Sequence, residues 1–193
     1  MRKLLVHEFV TLDGIMQAPG GADEDRDGGF RHGGWTQAFW HEDIGKTFVT
    51  LMKDVDAFLL GRRTYVTHAE AFEPMPAGDP FGDIMNPPAK YVVSRTLQKP
   101  IWRNTTIIRG DVVASVRALK AGPGKTITTD GSSQLVHALI EHDLVDELYL
   151  HVFPLALGQG KRVFPAGTGN HRFKLLHTTP YPTGVVGLHY GRA

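Results

Sequence analysis

Two arginines stand at the point where a strongly apolar run of the sequence ends. The run at 57–60 is followed at once by Gly61, Arg62, Arg63 and Thr64. Glycine lets a chain turn tightly out of a sheet, the start of the next helix exposes unpaired N–H groups, and two guanidinium groups beside them can hold a phosphate. The alternative is a helix start with two solvated arginines, which is common at protein surfaces. This segment by itself leaves both interpretations open.

Similar side chains follow two later β-prone stretches. Ser94 and Arg95 come directly after the first stretch, and Gly131, Ser132 and Ser133 come after the second, where a helix begins. Open α/β sheets bind ligands at the carboxyl ends of their strands, and a glycine there lets the backbone approach a pyrophosphate closely. Three such strand ends in one chain favour a nucleotide-binding edge over coincidence.

The segment from 13 to 35 is rich in glycine and acidic residues and has no apolar period. A loop of this length inside a compact domain is usually either functional or disordered. Its part from Pro19 to Trp35 is a candidate for closing over a ligand, with Phe30 and Trp35 stacking on a planar ring. Aromatic residues near glycines are also ordinary loop anchors, and the sequence does not separate the two roles.

Two ion-binding or phosphate-binding patterns are incomplete. Asp23, Asp25 and Asp27 resemble the start of a calcium loop, but position 34, where a bidentate glutamate belongs, is glycine. Gly124-Lys125-Thr126 copies the end of a P-loop, but the earlier glycine is missing and the motif precedes a strand. We therefore expect neither a calcium site nor triphosphate hydrolysis.

The histidines of the chain are scattered, and none of their spacings indicates a metal site on a helix. We expect no metal. His137 is predicted to lie on a helix surface. His151 falls on the outer phase of its strand and receives no role.

The elements that must position these residues alternate along the chain. Strands are predicted at 4–10, 57–60, 91–93, 105–108, 126–129 and 148–152, and helices at 36–52, 112–119 and 132–141. The segment 73–88 carries five prolines and is expected to be an irregular loop. Two tail strands, at 173–179 and 185–190, flank turn residues typical of an antiparallel hairpin. The pattern predicts an α/β fold with a mixed, mostly parallel central sheet, a C-terminal antiparallel hairpin and helices on both faces.

Composition narrows the class of partner. The chain has 193 residues, 41% of them hydrophobic, which favours one domain over 1–193. Lys and Arg total 21 against 20 for Asp and Glu, so we expect a small-molecule partner and neither nucleic acid nor membrane. There is no cysteine, which excludes thiolate catalysis and Cys-ligated zinc. The apolar stretch near the amino terminus is too short for a signal sequence, so a cytoplasmic location is expected.

The chain resembles the dihydrofolate-reductase-like superfamily, and within it the RibD C-terminal domain family. The resemblance rests on Thr11-Leu12-Asp13-Gly14, on Leu60-Gly61-Arg62-Arg63-Thr64-Tyr65, on Val93-Ser94-Arg95, on Asp130-Gly131-Ser132 and on the run from Leu144 through Gly158-Gln159-Gly160 to Phe164. It implies a three-layer dihydrofolate-reductase-like fold, NADPH as cofactor and a homodimer. The residues that it implies for cofactor binding are Gly61, Arg62, Arg63, Thr64, Ser94, Arg95, Gly131, Ser132 and Ser133.

The resemblance also selects Asp13 as the catalytic candidate. Asp13 leaves the first strand into the long loop and matches the aspartate of the family's Leu-Asp-Gly motif. It would lie near the nicotinamide or the substrate, where it could orient the substrate or help to deliver a proton. Alternatively, Asp13-Gly14 simply forms a turn.

The implied activity is NADPH-dependent reduction of a small heterocyclic substrate, as in 5-amino-6-(5-phosphoribosylamino)uracil reductase of riboflavin biosynthesis. The chain departs from that pattern because the segment 74–88 offers no basic residue for a phosphoribose. One alternative is dihydrofolate reduction, which needs a carboxylate on the first long helix, where only Glu42 and Asp43 are candidates. Another is a non-catalytic nucleotide-binding or regulatory protein of the same fold.

Overall fold

The computed structural model describes all residues, 1–193. The strands that the sequence predicts form one eight-stranded sheet. The strands are β1 (Leu4–Thr11), β2 (Val55–Gly61), β3 (Ala89–Val93), β4 (Thr105–Ile108), β5 (Thr126–Asp130), β6 (Glu147–Phe153), β7 (Phe173–Pro180) and β8 (Val186–Arg192). The helices are α1 (Glu42–Met52), α2 (Arg62–Phe72), α3 (Gly82–Met85), α4 (Val112–Ala121) and α5 (Ser133–Glu141).

The strand order is β4-β3-β2-β5-β1-β6-β8-β7. Every pair from β4 to β6 is parallel, whereas β8 is antiparallel to both β6 and β7. The predicted mixed, mostly parallel sheet with a C-terminal antiparallel hairpin is therefore confirmed. The continuous apolar run at 57–60 in β2 is completely buried, because helices cover both faces of the sheet.

Separate apolar cores occupy the two faces of the sheet. On one face, Phe48 of α1 and Tyr65 of α2 pack with Phe58 of β2. On the other face, Val116 of α4 and Leu139 of α5 pack with apolar side chains of the central strands. This arrangement gives the three layers that the sequence predicts. None of the helices is both long and apolar enough to span a lipid bilayer.

Two helical segments differ from their predictions. The helix predicted at 36–52 begins at Glu42, after a 3-10 turn at Gln37–Phe39, because the extended residue His41 caps it and accepts the Asp43 N–H through its ring nitrogen (3.3 Å). The proline-rich segment 73–88 contains the short helix α3. Its prolines flank this single turn instead of interrupting it.

A notch opens at the carboxyl edge of the sheet between β1 and β5. The last paired position of these strands is His7 opposite Asp130. Beyond it β5 turns away at Gly131, while β1 continues to Thr11 paired with β6 only. Helices leave neighbouring strands toward opposite faces around this point, which is where open α/β sheets place their ligands.

Candidate functional site

Two adjoining cavities lie at the carboxyl edge of the sheet. The first, of about 570 Å³, contains Arg62, Arg63 and Arg95 in its wall, and we call it the arginine cavity. The second, of about 400 Å³, lies over the notch, and we call it the aromatic cavity. Its aromatic lining residues are Phe9, Trp40, Phe48, Phe72 and Phe81. The cavities share part of their walls, so one elongated ligand can reach both.

The structure brings together the residues predicted to bind the cofactor. Those that line the arginine cavity are Gly61, Arg62, Arg63, Thr64, Ser94, Arg95, Ser132 and Ser133. Gly131 lines the aromatic cavity, whose wall also includes Arg63, Thr64, Ser132 and Ser133. Residues that are far apart in sequence meet here because β2, β3 and β5 are parallel and end at one edge.

The turn from β5 into α5 has the geometry of an anion cradle. Gly131 has a φ of +77°, and a Cβ atom at this position would lie 3.1 Å from the Thr64 Cγ2 atom. Ser132 is also left-handed, and its Oγ accepts the Gly61 N–H at 2.8 Å, which ties the ends of β2 and β5 together. No side chain caps the start of α5, so its first N–H groups remain available to an anion.

The arginines of the arginine cavity differ in their partners. Arg63 forms an ion pair with Asp27 at 2.8 Å, and this contact, with Lys161, lowers the pKa of Asp27 to about 2. Arg62 and Arg95 are exposed and form no ion pair. Two unpaired guanidinium groups beside an uncapped helix start suit a ligand with several phosphates.

Ser94 supports its neighbour instead of standing free in the cavity. Its side chain is largely buried, and its Oγ accepts the N–H groups of Thr96 (3.2 Å) and Leu97 (2.9 Å). These bonds shape the turn after β3. The turn holds Arg95 at the cavity wall.

The long loop contributes a wall of the aromatic cavity through Pro19, Gly20, Glu24 and Asp25. Phe30 and Trp35 do not line that cavity. Both are buried in a core with Phe153, and the Trp35 indole N–H donates to the Gln17 carbonyl at 2.8 Å. Phe30 and Trp35 therefore anchor the loop. The aromatic rings that line the cavity come from other parts of the chain.

Asp13 lies two residues after the end of β1 and lines neither cavity. Its carboxylate accepts the N–H groups of Leu157 (3.3 Å) and Gly158 (2.8 Å) as well as the Thr11 hydroxyl. Burial opposes ionisation, but the hydrogen bonds from Thr11 and the two backbone groups outweigh it and lower the pKa of Asp13. The structure thus shows Asp13 joining β1 to the turn at 157–158, and its predicted catalytic role stays a prediction.

A buried carboxyl group that the motifs did not single out reaches the aromatic cavity. Glu8 of β1 is 2% exposed, its Oε2 accepts the Gly131 N–H at 3.1 Å, and its Oε1 has no partner. Burial, and then the charge of Asp130, raises its pKa well above the usual value. The signal was present in the sequence, since a glutamate inside an apolar strand is unusual.

Asp130 behaves in the opposite way, although it is also enclosed. Burial alone would raise its pKa, but a hydrogen bond from His68 (3.2 Å) and the His7 ring at 3.6 Å reverse the effect, and the net pKa lies well below the usual value. Asp130 therefore holds a negative charge beside Glu8. The pKa values of the two neighbouring carboxyl groups are thus shifted in opposite directions.

Two histidine predictions need correction. His151 is completely buried, not outward-facing, because its ring packs against the rings of His7, Phe9 and Tyr181. Its ring bridges His7 and Tyr181 at 3.2 Å each, and burial lowers its pKa to about 2. His137 is half-buried and lies 2.7 Å from the Arg162 carbonyl oxygen, so it is not a free surface residue.

The carboxylates considered for dihydrofolate reduction lie elsewhere. Glu42 and Asp43 stand in the first turn of α1, both form ion pairs with Lys46, and neither lines the aromatic cavity. The acidic group in that cavity comes from β1 instead.

The family model of the RibD C-terminal domain matches residues 2–187. The chain belongs to the RibD C-terminal domain family. Two curated proteins of Bacillus subtilis (strain 168), YyaP and YwjB, are similar to this family member along their whole length. YyaP is 27% identical over 192 residues, covering 98% of this chain and 94% of YyaP. YwjB is 28% identical over 193 residues, covering 100% of this chain and 99% of YwjB, and both proteins are described as uncharacterized.

Solved structures confirm that this RibD C-terminal domain protein has the dihydrofolate-reductase-like fold. A putative riboflavin biosynthesis protein from Shewanella sp. PV-4 superposes with a TM-score of 0.70 at 19% identity, covering 99% of both chains. Dihydrofolate reductase from Enterococcus faecalis, solved with NADP(H), superposes with a TM-score of 0.62 at 16% identity, covering 98% of this chain and 96% of that one. Family membership points to a reductase-type function.

Proposed function

We propose that the protein is an NADPH-dependent reductase of a small planar heterocycle. One observation carries the proposal: a cavity with two unpaired arginines and an uncapped helix start shares a wall with a cavity lined by aromatic rings. The first suits the phosphates of a dinucleotide, and the second suits flat rings. The family and the NADP(H) complex of the Enterococcus enzyme support the same conclusion.

The residues around the arginine cavity fit the phosphates of NADPH. Arg62 and Arg95 supply cations for a 2′-phosphate, where an NAD enzyme would carry a carboxylate. Gly131, Ser132 and the first N–H groups of α5 would hold the pyrophosphate of such a cofactor. NADPH, when bound, supplies a hydride. The protein's own contribution is to orient the two rings and to keep water away from them.

The substrate is proposed to be a ring compound without a large anionic arm. Met75 and Phe81, from the segment that carries no basic residue, form part of the aromatic cavity wall. This wall favours an apolar or uncharged face of the substrate over a phosphoribose. We therefore propose a reductase related to those of the riboflavin pathway. It would recognise its substrate through the ring and not through a phosphoribose.

The test is a titration with NADPH followed by turnover. We expect the rise in NADPH fluorescence to report binding at micromolar concentration, with NADH binding more weakly. Consumption of NADPH is then followed with pterins, aminouracils and other small heterocycles. No binding of NADPH would refute the cofactor assignment, whereas binding without consumption of NADPH by any ring compound would favour the non-catalytic alternative.

We further propose that the protein pairs with a second copy of itself through β7. This strand forms one edge of the sheet, so one side of its backbone has no partner strand. Leu175 and Leu176 on it are 48% and 51% exposed. Pairing would cover both the free backbone groups and these leucines.

A further inference from the structure

His68 brings an imidazole ring into the wall of the aromatic cavity. Thr64, His68 and Phe72 are four residues apart on α2, so they lie on one face of the helix, and all three line the cavity. The side chain of His68 is 17% exposed. Its Nε2 lies 3.2 Å from the Asp130 Oδ2, whereas its Nδ1 has no partner in the protein and is not enclosed by it. One nitrogen of the ring is therefore held, and the other is open to a ligand.

Asp130 is the group that orients this ring. Burial opposes its ionisation, but the contacts with His68 and His7 outweigh burial and lower the pKa of Asp130, so it is an anion. An ionised carboxylate accepts hydrogen bonds and donates none, so the Nε2 of His68 must be the donor. A neutral His68 then has its single proton on Nε2 and a lone pair on Nδ1.

A buried chain of hydrogen bonds runs from α1 to the ring of His7. The Thr47 hydroxyl donates to the Asp43 carbonyl at 2.9 Å, so its oxygen accepts the Tyr181 hydroxyl, also at 2.9 Å. The Tyr181 oxygen then accepts the Nε2–H of His151 at 3.2 Å, and the His151 Nδ1 accepts the Nε2–H of His7 at 3.2 Å. Each acceptor in the chain thus fixes the next donor.

The end of this chain indicates the charge of His7. Its Nε2 donates to His151, and its Nδ1 is completely buried, has no hydrogen-bond partner and lies 3.6 Å from the Asp130 Oδ1. A lone pair on this Nδ1 would face a negative carboxylate, whereas a proton there is attracted to it. The contacts therefore favour a His7 that is protonated on both nitrogens and balances the charge of Asp130. His68 need not supply a second positive charge and keeps its Nδ1 lone pair.

The cations of the long-loop side of the cavity are engaged elsewhere. Lys161 is paired with Asp25 at 2.6 Å, and Arg63 is paired with Asp27 at 2.8 Å. Neither cation contacts His68, so the Nδ1 lone pair is left to a ligand in the cavity.

We propose that His68 selects the substrate by accepting, at Nδ1, a hydrogen bond from an N–H group on the edge of the substrate ring. This inference rests on the proposed function, which assigns the aromatic cavity to the substrate. An amino group or a ring N–H donates in the plane of the ring, which leaves both faces of the ring to the aromatic walls. Asp130 and His7 are positioning residues, because they act through His68 by fixing which of its nitrogens carries the proton.

The first experiment measures the tautomer of His68 without any ligand. Nitrogen NMR of protein labelled in its histidine rings, at about pH 8 where histidines are ordinarily neutral, should show a protonated Nε2 and an unprotonated Nδ1. His68→Gln assigns these signals. The control His142→Gln alters an exposed residue outside both cavities and should leave them unchanged. A proton on Nδ1 instead of Nε2 overturns the inference, whether or not NADPH binds.

A variant of Asp130 tests the positioning role. Asp130→Ala removes the acceptor of the Nε2–H, so the His68 ring should become a mixture of both tautomers in the same NMR measurement. A merely structural role of Asp130 would not alter the tautomer. An unchanged tautomer in folded Asp130→Ala therefore contradicts the positioning role.

Binding of two small rings then tests the selection. 2-Aminopyrimidine and 2-methylpyrimidine are neutral flat rings of similar size, and the first alone has an N–H group. The wild type should bind 2-aminopyrimidine about 10-fold more tightly, the contribution of one hydrogen bond. His68→Leu should bind both rings with the affinity that the wild type has for 2-methylpyrimidine. His68→Gln, whose amide oxygen also accepts, should keep part of the preference.

Several outcomes of this titration overturn the proposal: no binding of either ring, equal affinities in the wild type, or a preference that survives in His68→Leu. A wild type that prefers 2-aminopyrimidine but fails to bind NADPH supports the role of His68 and refutes the proposed function. The two failures are therefore distinguishable.

Discussion

The arginine cavity is lined by Arg62, Arg63 and Arg95. These arginines differ in whether a carboxylate already contacts them. Arg63 is held by Asp27 of the long loop, whereas Arg62 and Arg95 have no carboxylate partner. An arginine that is already paired gains less from a phosphate, because it must give up its existing contact. Sequence motifs treat the adjacent arginines as equivalent, and only the position of the loop separates them.

We expect the positive charge of Arg95 to determine how strongly the protein prefers NADPH to NADH. Arg95→Gln should weaken NADPH binding by about 10- to 100-fold, the range for a charge-assisted hydrogen bond, and leave NADH binding nearly unchanged. Fluorescence titration with both cofactors measures this. Arg117→Gln, an exposed arginine of α4 outside both cavities, is the control and should alter neither affinity. Equal losses for NADPH and NADH would show that Arg95 does not contact the 2′-phosphate.

The turn between β5 and α5 is the element that joins both cavities. It contains consecutive left-handed residues, Gly131 and Ser132, and brings the start of α5 against the end of β2. The left-handed conformation lets the Gly131 N–H point toward Glu8 while Ser133 faces the arginine cavity. This element therefore joins the arginine cavity to the aromatic cavity.

A side chain at Gly131 should disturb this turn. Gly131→Ala places a Cβ atom at a φ of +77° and 3.1 Å from Thr64, so we expect a loss of stability of about 1–2 kcal/mol and weaker NADPH binding. Chemical denaturation and fluorescence titration measure the two effects. Gly110→Ala is the matched control, since Gly110 has no positive φ and open space around it. If both variants behave alike, the turn does not require glycine.

For the whole molecule, the two edges of the sheet decide how it can assemble. β4 is one edge and β7 the other, and only β7 carries two large exposed leucines, Leu175 and Leu176. An exposed apolar edge strand favours association with another strand. The C-terminal hairpin is thus the surface on which we place the second copy.

A charged residue on β7 should prevent two copies of the chain from pairing through this strand. Leu175→Lys is expected to shift the protein from dimer to monomer in sedimentation velocity experiments, because a lysine on an edge strand opposes pairing. Leu12→Lys makes the same change at a residue that is 68% exposed and away from β7, and should leave the mass unchanged. A wild type that is monomeric at all concentrations would refute this interface.

Much of the fold and of the candidate cofactor site could be predicted from the sequence, because both depend on local patterns. Short apolar runs with β-prone residues predicted the strands, and most observed strands extend the predicted ones by only a few residues. The candidate phosphate residues follow strand ends, and parallel strands in one sheet must bring such ends to one edge. The family resemblance added the dihydrofolate-reductase-like arrangement of these elements and the proposal that NADPH is the cofactor.

Which groups surround the acidic residues of the site was decided by the tertiary structure. Glu8 meets Gly131 and Asp130 only because β1 pairs with β5 in one register, over a separation of 123 positions. The aromatic lining shows the same dependence, since Phe30 and Trp35 turn into a core while Trp40 reaches the cavity. Local patterns determine which segments become strands and helices, but burial, pairing and protonation depend on which neighbours the completed sheet places around each side chain.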